Sequence, residues 1–454
     1  MSVRGPVIDT SAGAAAVPGA SLDAHHPATS RRAGVGIAGL LAAGLLVSVA
    51  AAHTESFLPE SVRPVPAALA GVFGPLGINL HVGGAIAVLA LMFVSYVCVV
   101  SLAAEISPRV VLLAIALLHA FVLLAPPLIS TDVFSYQAYA RMGAQYGVNP
   151  YLSGPYAIRL DGVFPYVGAK WSYVPSAYGP VFTTASYLLA PLTIAASVIA
   201  YKSIAAAASL ALVAVVWQCA RLRGTDPVRA AALVGLNPLL VVYGVGGGHN
   251  DLLMLLALAA SLYAVLLGRE RRGGALAMLA IGIKLTAGIA LPFAFAECAR
   301  SRPRRRGLMI GAAAGFALIA GLGFAMFGSG AFHLLATVTH SQSEGDWKSI
   351  PGAIGGRLGL PGVGHIVGGG LAAAFVGVCA WLLHRVWRGT LDWIDGAGWA
   401  TLAMLVASSS LLPWYVGWLL PLAALARDPR LQRMALVMTG IVQGIQLLGY
   451  IPHG

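Results

Sequence analysis

An all-α, polytopic membrane fold is predicted by three observations. The chain of 454 residues is 58% hydrophobic and only 10% charged, where a soluble domain carries roughly 25% charged residues. Its mean hydropathy is +0.83. Its apolar residues gather in runs near 34–53, 83–104, 109–128, 197–220, 230–246, 251–268, 307–328, 363–385, 396–412 and 431–450. A helix needs roughly 20 mainly apolar residues to cross a bilayer. With three irregular stretches added, the pattern predicts about 11–13 transmembrane helices, including broken or re-entrant segments.

Residues 1–33 are rich in Ala, Gly, Ser and Pro and lack a hydrophobic period. They read as a disordered cytoplasmic tail, followed by one membrane domain over 34–454. Placing the tail inside puts the arginine clusters at 221–229, 269–272, 300–306, 385–388 and 427–433 in cytoplasmic loops. The outer loops then hold few positive charges, the bias that orients membrane proteins. The net charge of +12 is accounted for by these loops, so no nucleic-acid partner is inferred. Cys98, Cys219, Cys298 and Cys379 lie far apart in or beside apolar runs. They read as packing residues, not as disulfides or metal ligands.

The irregular stretches follow from this topology. Residues 177–196 contain two prolines, and part of them is expected to lie along the surface. Residues 274–297 carry Lys284 mid-run, with both flanks on the arginine side. That segment is expected to enter and return as broken half-helices, a form tolerated only when buried in protein or lining a wet cavity. Residues 413–426 are short and bounded by proline. The outer loops 129–176 and 329–360, and the short turn at 244–251, are expected to open on one side around a shared site.

Four motifs carry candidate chemistry. In "STDVFSYQAYARMGAQYGVNPY" (130–151), Asp132, Tyr136 and Tyr139 fall at i, i+4 and i+7, one face of a helix. Asp132 is either a general base, its basicity raised by desolvation, or a helix cap. Tyr136, Tyr139 and Arg141 of this helix are candidate substrate contacts, and Tyr146, Tyr151, Tyr156, Tyr166, Trp171, Tyr173 and Tyr178 come after it. They either stack against sugar or form an interfacial belt.

In "NPLLVVYGVGGGHND" (237–251), His249, Asn250 and Asp251 sit between two apolar runs, where polar groups are costly unless used. Asn250 or Asp251 could be a helix cap, which does not require a histidine. Lys284 in "IKLTAG" is too central to snorkel and suits an anionic lipid phosphate. Lys348 and Arg357 are further cations in the second outer loop, either facing a phosphate or simply solvated. Trp414 and Tyr415 in "LPWYVGWLLPL" (412–422) are interface anchors or the lining of a lipid groove. No P-loop is present. The glycine-rich turn joins apolar helices with no strand before it, so a phosphate-cradle reading fails on context.

These segments, in this order and together with "YGP" at 178–180, resemble the polyprenol-phosphate-mannose-dependent alpha-(1→6)-mannosyltransferases of bacterial cell envelopes, which have the C-type membrane glycosyltransferase fold. The resemblance covers about residues 34–450. It implies a polyprenyl-phosphate-mannose donor in the outer leaflet and a mannan or lipoglycan acceptor. Asp132 would be the base of an inverting transfer, at a site outside the cytoplasm in the plasma (inner) membrane. His249 would orient the sugar or protonate the phosphate oxygen, with Lys284 and Arg357 near that phosphate. No cofactor and no metal are expected. Transfer of arabinofuranose from a similar donor, or a transporter for lipid-linked sugars, are the alternatives.

Overall fold

The structure, a computed structural model, describes residues 28–343, 348–357 and 359–450. Residues 1–27 of the expected tail lie outside the described residues. All described regular structure is helical. In chain order the α-helices are α1 (Arg31–Ala50), α2 (His81–Ser101), α3 (Pro108–Leu124), α4 (Asp132–Ala144), α5 (Pro180–Ser186), α6 (Ile194–Arg223), α7 (Pro227–Gly235), α8 (Asp251–Leu266), α9 (Glu270–Ile283), α10 (Leu291–Cys298), α11 (Arg302–Phe327), α12 (His333–Ser343), α13 (Ile350–Gly352), α14 (Pro361–Arg388), α15 (Trp393–Ala407), α16 (Leu420–Leu425) and α17 (Pro429–Leu448).

The sequence punctuates these helices where caps demand it. Ser30 Oγ accepts the Ala33 N–H at 3.3 Å, so α1 starts at Arg31, inside the stretch expected to be tail. Asp226, Asp392 and Asp428 cap α7, α15 and α17, with proline following in α7 and α17. Gly311 of α11 has no room for a side chain, since a Cβ would fall 1.8 Å from the Arg271 carbonyl oxygen. Small residues at such contacts let membrane helices pack closely.

Six described helices are long and apolar enough to cross a membrane alone. A seventh span results if α7 and the π-helix Leu239–Val245, bent by 48°, count as one. Five shorter apolar helical stretches, among them α3, α8 and α15, bring the apolar segments among the described residues to twelve, within the expected eleven to thirteen. The outermost member is α14, whose Ile366, Val376, Trp381 and Trp387 are exposed, as befits a helix facing lipid.

The two ends of the bundle differ. One end carries the arginines: Arg223 meets Asp392 at 2.9 Å and Arg304 meets Glu270 at 2.7 Å. Arg304 also approaches Glu297 at 3.8 Å, which brings both flanks of the 270–298 segment to this end. That segment is therefore re-entrant, as expected, and it breaks at Lys284, whose backbone is extended between α9 and the next 3-10 turn. The stretch 177–196, expected to lie partly along the surface, contains α5, which buries Phe182, Thr183 and Ser186, and the 3-10 turn Tyr187–Leu189. At the opposite end the loop after α4 meets the end of α11: Asn149 donates to the Phe327 carbonyl at 2.8 Å.

Candidate active site

The linker from α3 to α4 brings the acid into place. Pro126 and Pro127 have no N–H, so α3 cannot continue through them. The Ala125 and Pro126 carbonyls instead accept hydrogen bonds from Lys202, a fully buried lysine of α6, the second at 2.9 Å. Leu128 N–H then reaches the Gly246 carbonyl at 3.1 Å, tying this linker to the glycine-rich turn. Gly248 sits in that turn at φ +68°, and a Cβ there would meet the Lys202 stem at 3.4 Å. One lysine thus touches both segments that carry the polar residues. Its signal in the sequence, a lone cation inside an apolar run, is easily passed over.

Asp132 opens α4, but its carboxylate does not cap the helix. Its N–H bonds to Ser130 Oγ at 3.2 Å. The carboxylate Oδ2 accepts from the Tyr178 hydroxyl at 3.3 Å and lies 3.3 Å from His249 Nδ1. The two groups read from separate motifs are therefore neighbours. Burial pushes the Asp132 carboxyl up, but His249 (by polar contact and charge), the charge of Lys284 and the Tyr178 hydroxyl outweigh it. The group is held below the ordinary carboxylate value. The rise expected from desolvation alone is overturned, because the site supplies compensating cations and donors.

His249 is buried, and its ring stacks on Trp414 at 3.7 Å. Neither ring nitrogen has a well-aligned hydrogen bond among the described residues. The imidazole lies behind Asp132 and Trp414 and is not among the residues lining the adjacent cavity. The ring therefore faces Asp132 and Trp414 rather than the cavity.

Asp251 and Lys284 form a second cluster. Lys284 Nζ bonds both Asp251 oxygens, at 2.8 and 2.9 Å, and Trp418 Nε1 donates to Asp251 at 2.6 Å. The ammonium also lies 5.2 Å from the Tyr415 ring centroid and 5.3 Å from that of Trp418. Lys284 is therefore a paired cation, not the isolated one the sequence suggested. Asp251 is buried behind it and caps nothing.

A cavity of about 370 Å³ joins the two clusters. Asp132 and Lys284 are the charged residues in its wall. Tyr139, Tyr178, Trp414, Tyr415 and Trp418 supply aromatic surface, and Phe375 of α14 and Met404 of α15 extend it toward the lipid-facing side. A partly enclosed apolar chamber with a few convergent polar groups is the usual form of a small-molecule site.

Several residues read as candidate substrate contacts have partners within the protein. Arg141 pairs with Asp161 at 2.6 Å and the Leu192 carbonyl at 2.8 Å, and so braces the outer loop. Asp161, missed in the sequence, lies twenty residues from its partner, beyond any helical spacing. Tyr136 is buried under Tyr178 and Phe182 and meets Asn250 Oδ1 at 3.3 Å. Neither Tyr136 nor Asn250 lines the cavity. The Arg357 side chain lies outside the described residues. All four cysteines are free, as expected.

Residues 35–300 match the family described as "Alpha-(1->6)-mannopyranosyltransferase, N-terminal domain", and residues 362–447 match "MptB C-terminal domain". The chain is similar to alpha-(1→6)-mannopyranosyltransferase A of Mycobacterium tuberculosis, at 28% identity over 360 residues, 73% of this chain and 67% of the relative. It is 31% identical over 376 residues to a probable alpha-(1→6)-mannopyranosyltransferase of Mycolicibacterium smegmatis, covering 70% of this chain and 66% of the relative. Alpha-(1→6)-mannopyranosyltransferase B of Corynebacterium glutamicum is 28% identical over 356 residues, 67% of this chain and 57% of that protein. The chain thus spans about two thirds, or less, of the length of these relatives. No solved structure matches it.

Proposed function

Because this chain belongs to the alpha-(1→6)-mannopyranosyltransferase family, we propose that it is an inverting mannosyltransferase. It moves mannose from polyprenyl-phosphate-mannose to a mannan or lipoglycan acceptor outside the cytoplasm. The observation that carries this reading is the placement of Asp132: an ionised carboxylate in the wall of an otherwise largely apolar, aromatic cavity, with Lys284 as its charged counterpart.

The acceptor oxygen attacks the anomeric carbon from the face opposite the phosphate. As the new C–O bond forms, the bond from that carbon to the phosphate oxygen breaks, and polyprenyl phosphate leaves with the electron pair. Asp132 takes the proton released from the acceptor hydroxyl. Lys284, turned between Asp251 and the cavity, offsets the charge growing on the leaving phosphate. The lipid chain follows the wall formed by Phe375 and Met404. The arginines gathered at one end of the bundle, read by the positive-inside rule, support a site open to the outer leaflet.

The test is reconstitution of the pure protein with synthetic mannosyl polyprenyl phosphate and a short mannoside. Product with inverted anomeric configuration, lost in Asp132→Asn, is the expected outcome. Full turnover by Asp132→Asn removes the residue from the base role. Movement of the lipid-linked sugar across vesicles without bond formation would replace the transferase by a transporter.

A further inference from the structure

Asp132 lies in the wall of two cavities. The second, of about 670 Å³, opens beside the first, and the two share Asp132, Trp171, Leu412 and Trp414. Their chemistry differs. The second adds the hydroxyls of Ser61, Thr131 and Ser172, the Gln446 amide and the charged groups Glu60, Lys170 and Lys348. With Asp132 its charged residues number two acids and two lysines, so the wall carries no net charge.

We propose that this second cavity is the acceptor site and that it takes the end of a neutral glycan more than one sugar long, seated on Trp171. The assignment rests on the transferase reading above and deepens it. A sugar offers an apolar C–H face and a rim of hydroxyls, which calls for a flat aromatic surface flanked by uncharged donors and acceptors. Trp171 provides the surface, beside Asp132 and within both walls. Trp414 provides an indole N–H that is buried and has no hydrogen-bond partner among the described residues. A buried donor left unpaired is costly, and a sugar hydroxyl arriving at the shared wall would satisfy it.

Charge separates a neutral glycan from a phosphorylated one. An anionic head group needs a surplus of cations, as at phosphate sites built from Arg and Lys. Here the Lys170 ammonium lies 5.2 Å from the Trp171 ring centroid, and Lys348 bonds the Gln446 amide oxygen at 3.1 Å. Glu60 and Asp132 balance them. The cavity exceeds the first in volume, so it accommodates residues behind the reacting sugar.

The experiment has a binding arm and a kinetic arm. Mannose, neutral mannotriose and a phosphorylated mannotriose are titrated against the reconstituted protein without donor, and binding is read by calorimetry. Mannotriose is expected to bind at least tenfold more tightly than mannose and more tightly than its phosphorylated form. Trp171→Ala is expected to weaken mannotriose about tenfold, the effect of about 1.4 kcal/mol. In the kinetic arm the acceptor KM rises several-fold more than the donor KM. Should Trp171→Ala not fold, Trp171→Leu serves: it keeps apolar bulk, removes the flat aromatic face, and is expected to weaken mannotriose several-fold. Mannotriose binding indifferent to Trp171, preference for the phosphorylated glycan, or equal rises in both KM values would overturn the proposal. Glycan binding without mannosyl transfer would keep the site and reject the transferase.

Discussion

Two aspartates, each the polar residue at the start of a helix, have been put to different use. Asp251 is saturated: two contacts to Lys284 and one to Trp418, all within 2.9 Å, on a side chain 1% exposed. Asp132 is loosely held, with both of its side-chain contacts at 3.3 Å on a side chain 15% exposed. A carboxylate with its lone pairs filled is architecture. One with lone pairs to spare, open to a cavity and kept ionised by its surroundings, is ready for a proton. The difference lies in the neighbours, because the residue type is the same.

That contrast is broken most directly by Asp132→Asn. Transfer is expected to fall about 10³-fold, within the range for loss of a general base. The thermal midpoint in detergent should fall less than for Asp251→Asn, since only two contacts of 3.3 Å are lost. Asp251→Asn is expected to do the reverse in part, lowering stability by about 3 kcal/mol as a buried pair is broken. Thermal unfolding of the two variants side by side checks the pairing. Lys284→Met should also destabilise and raise the donor KM. Adding Asp251→Asn to Lys284→Met is expected to restore most of the stability but not the donor KM.

A finer probe is the acid limb of the pH–rate profile. Asp132 titrates below the ordinary carboxylate value, so activity should persist into mildly acidic solution. His249→Phe removes the main group opposing burial. The limb is then expected to move to higher pH, and kcat at neutral pH to fall about tenfold, or 1.4 kcal/mol at the barrier. An unmoved limb would detach the histidine from the acid. The linked stability has the same sign. A depressed carboxyl stabilises the fold above its unfolded pKa, and that contribution is lost as pH falls through the lower folded value. The smallest effect is assigned to Lys202→Met, which frees two carbonyls and removes a buried charge. A loss of about 1–2 kcal/mol, with kcat lowered only a few-fold, is expected from denaturation and rate measurements.

The helical class, the broken segment at Lys284 and the neighbouring of Asp132 with His249 were legible, because hydropathy, arginine placement and residue cost each have a local signature. What was hidden is pairing. Arg141 with Asp161, and Lys284 with Asp251, join residues twenty and thirty-three positions apart. No periodicity encodes such distances, so both cations looked free to meet a substrate. The direction of the Asp132 shift was missed for the same reason. Desolvation can be guessed from position in the chain, but the charges that oppose it are set by folding. Tyr136 was read as facing ligand, since helical spacing gives a shared face without saying what covers it.

The wall common to both chambers limits how relatives of this protein can diverge. On the proposed assignment of the two chambers, replacing Trp171, Leu412 or Trp414 to welcome a different glycan would also reshape the room given to the lipid-borne sugar, so such changes act on both substrates at once. Residues touching the second chamber alone, among them Glu60, Ser61, Lys170 and Lys348, are free of that constraint. New acceptor preferences are therefore expected to evolve at that rim, while the partition itself stays fixed.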